Sequence, residues 1–163
     1  MACLRLSLLG SFQAELDGKL VTGFATTKIQ ALLAYLAVEA HRAHRREVLS
    51  ALLWPDWPER TARTNLRNAL SKLRTAIGDR QETPPYLLIT RETVQFNAAS
   101  AHWLDVAAFR NQVAERDQAA TDREGDDACD RLQQAIALYR GPFLEGFGVG
   151  DSRAFEDWAF LVR

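Results

Sequence analysis

The segment Arg60–Asp79 carries side chains whose types and spacing suit contact with nucleic acid. Because each helical residue advances about 100° on its predecessor, the polar side chains of this segment gather on one face. That face presents Thr64, Arg67, Asn68, Ser71, Lys72 and Thr75, with Arg63 and Arg74 along its boundary. Arg and Asn can bond purine edges through two hydrogen bonds, whereas Thr, Ser and Lys suit phosphates or mixed contacts. A solvated helix face is the alternative, but such faces normally mix charges of both signs.

The opposite face of the same segment is apolar and predicts a helix that packs against a core. Its apolar residues recur at helical spacing, and Gly78 is a suitable residue to follow the helix end. They are Ala62, Leu66, Ala69, Leu70, Leu73 and Ile77.

The distribution of charge along the chain indicates two modules with different partners. Although the 163 residues carry a net charge of −1, residues 41–80 contain nine basic and four acidic side chains. Residues 81–163 contain eight basic and fourteen acidic ones. The apolar fraction of 47% and the charged fraction of 25% are ordinary for a globular protein.

The sequence lacks the motifs that catalysis or metal binding needs, so we expect neither an enzyme nor a cofactor or metal site. It contains no glycine-rich phosphate loop and no G-x-S-x-G elbow. No carboxylate or cysteine completes a metal site with His41 and His44. The acidic cluster at 122–130 lacks the glycine and terminal glutamate of a calcium loop, which favours a solvated helix start.

We expect a cytoplasmic protein that does not enter a membrane. Cys3 and Cys129 are isolated and form no C-x-x-C pair, which fits a reducing compartment. The sequence has no apolar run of about 18 residues that could span a bilayer, and its N-terminus does not have the pattern of a secretion signal.

Short strands are predicted before the first helix. Residues 4–8 alternate leucine with polar side chains, as a half-buried strand does. Asp17-Gly18 predicts a hairpin turn, and a third strand begins near Leu20-Val21 and ends near residue 23. The expected result is a meander.

Two helices precede the basic one. Thr26 or Thr27 can cap the first, which ends near Glu39-Ala40. After a basic connector at 41–46, a second short helix covers Arg46–Leu53.

Trp54 and Trp57 bracket Pro55, at which the second helix must stop. We expect both to be buried between helices, and base stacking is the alternative interpretation.

A β-hairpin is predicted after the third helix. Its strands are Tyr86–Thr90 and Thr93–Phe96, and its turn is Arg91-Glu92. Three helices, the third of them basic, followed by a hairpin is the order of a winged helix-turn-helix. In that architecture the third helix enters the major groove and the hairpin tip reaches the backbone or minor groove.

A helical module is predicted from Asp105 onward. One apolar stripe contains Val106, Phe109 and Val113, and a second ends before Gly141-Pro142. The later stripe contains Leu132, Ala135, Ile136 and Tyr139. The last apolar cluster is expected to pack back onto the first module or to face a missing segment. It comprises Phe155, Trp158, Phe160 and Leu161.

Residues 4–97 resemble the OmpR-type winged-helix domain at the head of bacterial transcriptional activators. The matching stretches are L-R-L-S-L-L-G-S-F, K-I-Q-A-L-L-A-Y-L-A, R-R-E-V-L-S-A-L-L-W-P-D, A-R-T-N-L-R-N-A-L-S-K-L-R and Y-L-L-I-T with V-Q-F-N. These activators include the antibiotic regulatory protein (SARP) type and larger relatives with AAA ATPase or tetratricopeptide segments.

The second module resembles the start of the bacterial transcriptional activation domain, through L-Y-R-G-P-F-L-E-G-F and F-E-D-W-A-F-L-V-R. The resemblance implies an α+β winged helix-turn-helix over residues 1–99, with an N-terminal antiparallel sheet, three helices and a C-terminal hairpin wing. An all-α, tetratricopeptide-like module follows over residues 100–163. We expect this module to be truncated, because stacked helical hairpins need further repeats or a cap.

The helical wheel and the resemblance together assign roles to the basic side chains and their neighbours. The predicted base-reading residues are Thr64, Arg67, Asn68 and Ser71. The predicted phosphate ligands are Arg63, Lys72 and Arg74, together with Arg45 or Arg46 at the start of the second helix. Arg91 is the predicted wing contact, and Glu92 beside it argues against insertion into the minor groove.

The sequence therefore predicts a transcriptional activator that reads double-stranded DNA, with RNA polymerase and further copies of itself as expected partners. The competing hypothesis is a scaffold whose winged helix docks proteins instead of DNA. Steep salt dependence of binding to duplex DNA would discriminate between them.

Overall fold

The computed structural model describes residues 3–24, 26–79, 84–119, 133–148 and 152–162. The acidic cluster at 122–130, with the helix start expected there, and Leu132 of the later apolar stripe lie outside the described residues.

The described chain begins with the predicted antiparallel meander. Its strands are β1 (Leu4–Ser7), β2 (Gln13–Leu16) and β3 (Lys19–Leu20). Asp17 and Gly18 join β2 to β3 with φ angles of +53° and +81°, the left-handed values that a tight two-residue hairpin turn uses. The third strand is shorter than predicted, because it pairs only with Glu15 and Leu16 of β2.

Three helices follow at the predicted positions. They are α1 (Thr27–Val38), α2 (Arg46–Leu53) and α3 (Glu59–Ala76). The Thr26 hydroxyl accepts a hydrogen bond from the Ile29 backbone N–H at 3.4 Å and so caps α1. Gly78, with φ of +66°, follows the end of α3, where the left-handed conformation lets the chain leave a helix without a steric penalty.

The core forms around α1. All residues from Ala31 to Ala37 are buried, although the sequence pattern predicts only one apolar stripe. Helices α2 and α3 and a later strand (Thr93–Phe96) contact this helix, the leucines of β1 belong to the same core, and Tyr35 meets the last helix. Because neighbours surround α1 on most sides, its small alanines are buried together with its leucines.

A second sheet joins the predicted hairpin to the segment before α2. It consists of β4 (His44–Arg45), β5 (Leu87–Ile89) and β6 (Thr93–Phe96), in the antiparallel order β4-β6-β5. The basic segment 41–46 was predicted to be a connector only, and this prediction is wrong for residues 44 and 45. A two-residue strand is too short to show a period, and it forms because β6 offers a free edge.

The first sheet gains a fourth strand from beyond the hairpin. Strand β7 (His102–Leu104) pairs in parallel with β1, so the sheet continues past residue 99, where the sequence predicts a module boundary. The Asp105 carboxylate, which is 2% exposed, accepts hydrogen bonds from the backbone N–H groups of Leu8 and Leu9 at 2.8–2.9 Å. The two modules are thus joined by a sheet and a buried carboxylate.

Three helices lie in the rest of the described chain. They are α4 (Asp105–Ala119), α5 (described over residues 133–138) and α6 (Arg153–Val162). As predicted, Val106 and Ala135 are buried, but Ile136 is 60% exposed and Tyr139 is 50% exposed. The predicted apolar stripe of α5 is therefore only partly covered by the described residues.

Helix α6 packs back onto the first module, which is one of the two predicted outcomes. Phe155 is buried, and the Trp158 indole lies 4.9 Å from the Tyr35 ring while its Nε1 donates to Glu39 Oε1 at 3.0 Å. In contrast, Phe160 and Leu161 are 71% and 82% exposed. This apolar cluster thus has one part at an interface with α1 and another part on an exposed surface.

We expect Trp158→Ala to lower the free energy of unfolding by about 2 kcal/mol, because it removes the packing against Tyr35 and the bond to Glu39. Phe160→Ala, on the same helix but exposed, is the control and should change this free energy by less than about 0.5 kcal/mol. Urea unfolding of the two variants measures both values. Equal stability of the two variants would show that α6 does not hold the modules together.

The two tryptophans near Pro55 differ in their surroundings. Trp54 is buried at 9% exposure, whereas Trp57 is 51% exposed, so the prediction that both are buried is wrong for Trp57. This side chain lies in the turn between α2 and α3, outside the apolar stripes of both helices.

Within the described ranges, no helix has the length and apolar character needed to cross a bilayer. The same residues contain no group of three or more side chains arranged to hold a metal ion.

Candidate nucleic-acid interface

The two faces of α3 differ in exposure in the way that the helical wheel predicts. The apolar residues from Ala62 to Ile77 are buried and hold the helix on the core. On the opposite side, the predicted base-reading residues and Lys72 are all exposed. Burial of the apolar face therefore fixes the direction in which the polar side chains project.

A basic cleft of about 460 Å³ lies between α3, the start of α2 and the tip of the β5–β6 hairpin. Its lining residues are Arg45, Arg46, Glu47, Arg63, Thr64, Arg67, Arg91 and Glu92. Five arginines against two glutamates give the cleft a net positive charge, which suits a polyanion. Six of the residues predicted from sequence meet here, drawn from three separate segments of the chain.

The other predicted site residues lie further along α3. Asn68, Ser71 and Lys72 continue the exposed face beyond the cleft. The candidate interface is therefore an 18-residue helix, about 27 Å long at about 1.5 Å per residue, that has an arginine-lined cleft beside its N-terminal half.

Arg63 makes two ion pairs that sequence reasoning did not anticipate. Its Nη2 lies 3.0 Å from Glu59 Oε1 and 3.4 Å from Glu47 Oε1. All three side chains are at least half exposed, and pairs of this kind contribute only about 0–1 kcal/mol. The helical wheel places no carboxylate on the polar face of α3, but the structure places two carboxylates, Glu47 and Glu59, at the edge of that face. Glu59 is one turn away, but Glu47 comes from α2 and could be found only from the fold.

Arg46 bonds to the hairpin. Its Nε and Nη2 donate to the Thr90 carbonyl oxygen at 3.2 and 2.9 Å. Its backbone N–H donates to the Glu92 carbonyl at 3.0 Å. The residue predicted as a phosphate ligand therefore uses two of its guanidinium donors inside the protein. Its neighbour Arg45 is exposed.

The hairpin tip is held by its own hydrogen bonds. The Thr90 hydroxyl oxygen accepts from the backbone N–H groups of Glu92 and Thr93 at 3.3 and 2.9 Å. The Thr90 N–H donates to the Thr93 carbonyl at 2.9 Å. These bonds leave Arg91 exposed at the end of a closed turn.

Arg74 is engaged at the far end of α3. Its Nε donates to Asp79 Oδ2 at 3.0 Å, and Asp79 Oδ1 accepts from the Tyr86 and Leu87 N–H groups at 2.7 and 3.0 Å. Asp79 is 1% exposed. This buried carboxylate connects the end of α3 to the start of β5, and the positive charge of Arg74 offsets its negative charge. The phosphate contact predicted for Arg74 remains a prediction, and this ion pair would compete with it.

The second module matches a known protein family. Residues 104–159 match the family model of the bacterial transcriptional activator domain. The match begins at the last residue of β7 and ends within α6, so it covers the described helices that pack against the first module. The resemblance of this module to such a domain, predicted from its sequence, is confirmed.

The fold as a whole is similar to that of a solved protein structure. A solved structure of Mycobacterium tuberculosis EmbR, in complex with a low affinity phosphopeptide, aligns with a TM-score of 0.82 and 25% sequence identity. The alignment covers 99% of this chain but only 42% of the EmbR chain. No curated protein matches the sequence. The activator-domain match and the EmbR-like fold together make the chain similar to transcriptional activators of the SARP type.

Proposed function

We propose that this chain is a sequence-specific, double-stranded DNA-binding transcriptional activator of the OmpR-type winged-helix class. In this proposal α3 enters the major groove and the β5–β6 hairpin is the wing. The observation that carries the proposal is the exposed, carboxylate-free row on α3 beside a cleft lined by five arginines. A major groove about 12 Å wide admits one α-helix, and the buried leucines hold α3 so that its polar row can face outward.

The roles of the α3 side chains follow from their position. Thr64, Arg67, Asn68 and Ser71 are proposed to meet base edges, because they occupy the exposed row opposite the core. Arg67 also lines the cleft, and its planar fork suits the two acceptors of guanine. Asn68 suits adenine in the same way.

The flanking cations are proposed to hold phosphates. Lys72, Arg63 and Arg45 are exposed and lie at the ends or edges of the reading row. Arg63 would exchange its two weak glutamate pairs for a phosphate. Arg91 at the hairpin tip is proposed to contact the backbone, since Glu92 beside it would repel phosphates lining a narrow minor groove.

The helical module is proposed to contact proteins, with RNA polymerase and a second copy of the chain on DNA as the partners considered. Its match to an activator domain supports this role.

A salt titration of duplex binding tests the phosphate contacts. We expect Lys72→Ala to weaken binding to all duplex sequences alike and to flatten the plot of log affinity against log salt by about one unit. Lys19→Ala, an exposed lysine on β3, is the control for loss of charge and should leave the slope unchanged. A slope equal to that of the wild type in Lys72→Ala would remove Lys72 from the interface.

A scaffold that docks proteins is the second candidate function. It is favoured by the exposed apolar side chains of Ile136, Phe160 and Leu161. The two functions differ in one readout, because a scaffold without DNA binding would show no affinity for duplex DNA even at low salt.

A further inference from the structure

Arg46 makes three hydrogen bonds to the two residues on either side of Arg91. Its guanidinium donates twice to the Thr90 carbonyl, and its backbone N–H donates to the Glu92 carbonyl. The tip of the hairpin is therefore attached to the first residue of α2 on both sides of its exposed arginine.

The elements on either side of Arg46, strand β4 and helix α2, also connect the hairpin to α3. Arg45 pairs with Thr93 and His44 with Val94 in the β4–β6 ladder. Helix α2 therefore begins immediately after a strand of the sheet that contains the hairpin. Helix α2 in turn packs against α3. Through Arg46 the hairpin tip, α2 and α3 form one continuous unit.

We propose that Arg46 is a positioning residue that sets where Arg91 lies relative to Arg67, and not a phosphate ligand. This inference rests on the proposed function of the cleft. The Nε and Nη2 edge of a guanidinium is one of the two edges that can bind a phosphate through two hydrogen bonds, and in Arg46 that edge is bonded to the Thr90 carbonyl. The exposed Arg45 next to it takes the phosphate role at this end of α2.

The geometry also explains why this position needs arginine. Two N–H groups at a fixed spacing converge on one carbonyl oxygen, and a lysine ammonium cannot reproduce that planar fork. Arg46→Lys therefore keeps the charge of the cleft but loses the two guanidinium hydrogen bonds to the Thr90 carbonyl. A role based on charge and a role based on position predict different results for this variant.

A double-mutant cycle on the full chain tests the proposal. Affinity for a labelled pool of random-sequence duplexes is measured over a salt series, because phosphate contacts are made with any sequence. The variants are Arg46→Lys, Arg91→Ala and the two combined. Arg45→Ala, alone and combined with Arg91→Ala, is the matched control.

We expect Arg46→Lys to lose as much affinity as Arg91→Ala, and the combined variant to lose no more than either. Each should reduce the salt slope by about one unit, which is the loss of one phosphate contact. Arg45→Ala and Arg91→Ala should instead be additive, with a slope reduced by about two units. In amide hydrogen exchange, Arg46→Lys should speed exchange at Glu92 and Thr93 while the amides of α3 are unchanged.

Wild-type affinity in Arg46→Lys, or additive losses in its combination with Arg91→Ala, would overturn the positioning role. Unchanged exchange at the hairpin amides would also overturn it. Absence of duplex binding by the wild-type chain would instead overturn the proposed function itself, and the two failures are therefore distinguishable.

Discussion

Arg67→Ala is expected to weaken binding to the preferred duplex by about 1–3 kcal/mol and to weaken binding to unrelated duplexes much less. Arg67 is exposed on the polar row of α3 and also lines the basic cleft. A bidentate contact with a guanine adds affinity only where that guanine is present. The loss should therefore appear as a smaller ratio between specific and non-specific affinity.

The measurement compares wild type and Arg67→Ala on the preferred duplex and on a scrambled duplex at the same salt concentration. Arg110→Ala, an exposed arginine on α4, removes the same charge outside the interface and is the control. An equal loss on both duplexes would make Arg67 a phosphate ligand and would contradict its role as a base reader.

Asp79→Ala is expected to lower the free energy of unfolding by about 3 kcal/mol. The substitution leaves the buried N–H groups of Tyr86 and Leu87 without their acceptor and leaves Arg74 without its partner. Leaving buried donors unpaired costs more than the net contribution of a typical hydrogen bond. The end of α3 should also separate from β5, which carries the hairpin.

Urea unfolding measures this effect as a lower midpoint with an unchanged slope. Asp56→Ala, an exposed aspartate in the turn between α2 and α3, is the matched control and should change stability by less than about 0.5 kcal/mol. Asp79→Asn keeps an acceptor oxygen but loses the charge, so it should fall between the two. Stability of Asp79→Ala equal to that of Asp56→Ala would remove Asp79 from the account of how α3 and the hairpin are joined.

Elements with strong local signals could be predicted from the sequence. The bounds of α2 and the hairpin turn at Asp17-Gly18 were found because an apolar period, a proline and a glycine act within a few residues. The two faces of α3 followed from its 3.6-residue period. Strands β4 and β7 could not be predicted, since both are short and exist only because a distant strand offers an edge.

In the candidate site, too, local features could be predicted from the sequence and contacts between distant residues could not. The exposure of Arg67 and Asn68 follows from the helical wheel, whereas the bond of Arg46 to Thr90 joins residues 44 positions apart in sequence. The pair between Arg63 and Glu47 depends on how α2 packs against α3. The sequence therefore indicated most of the side chains that line the cleft, and the fold showed which of them already form hydrogen bonds or ion pairs within the protein.

Selection of bound sequences from a random duplex pool by the wild-type chain tests the central claim most directly, namely that α3 reads DNA sequence. We expect the pool to converge on a short motif that is lost when Arg67 and Asn68 are replaced by alanine. The claim would be contradicted if the wild-type chain bound no duplex at low salt. It would also be contradicted if the bound duplexes shared no enriched motif.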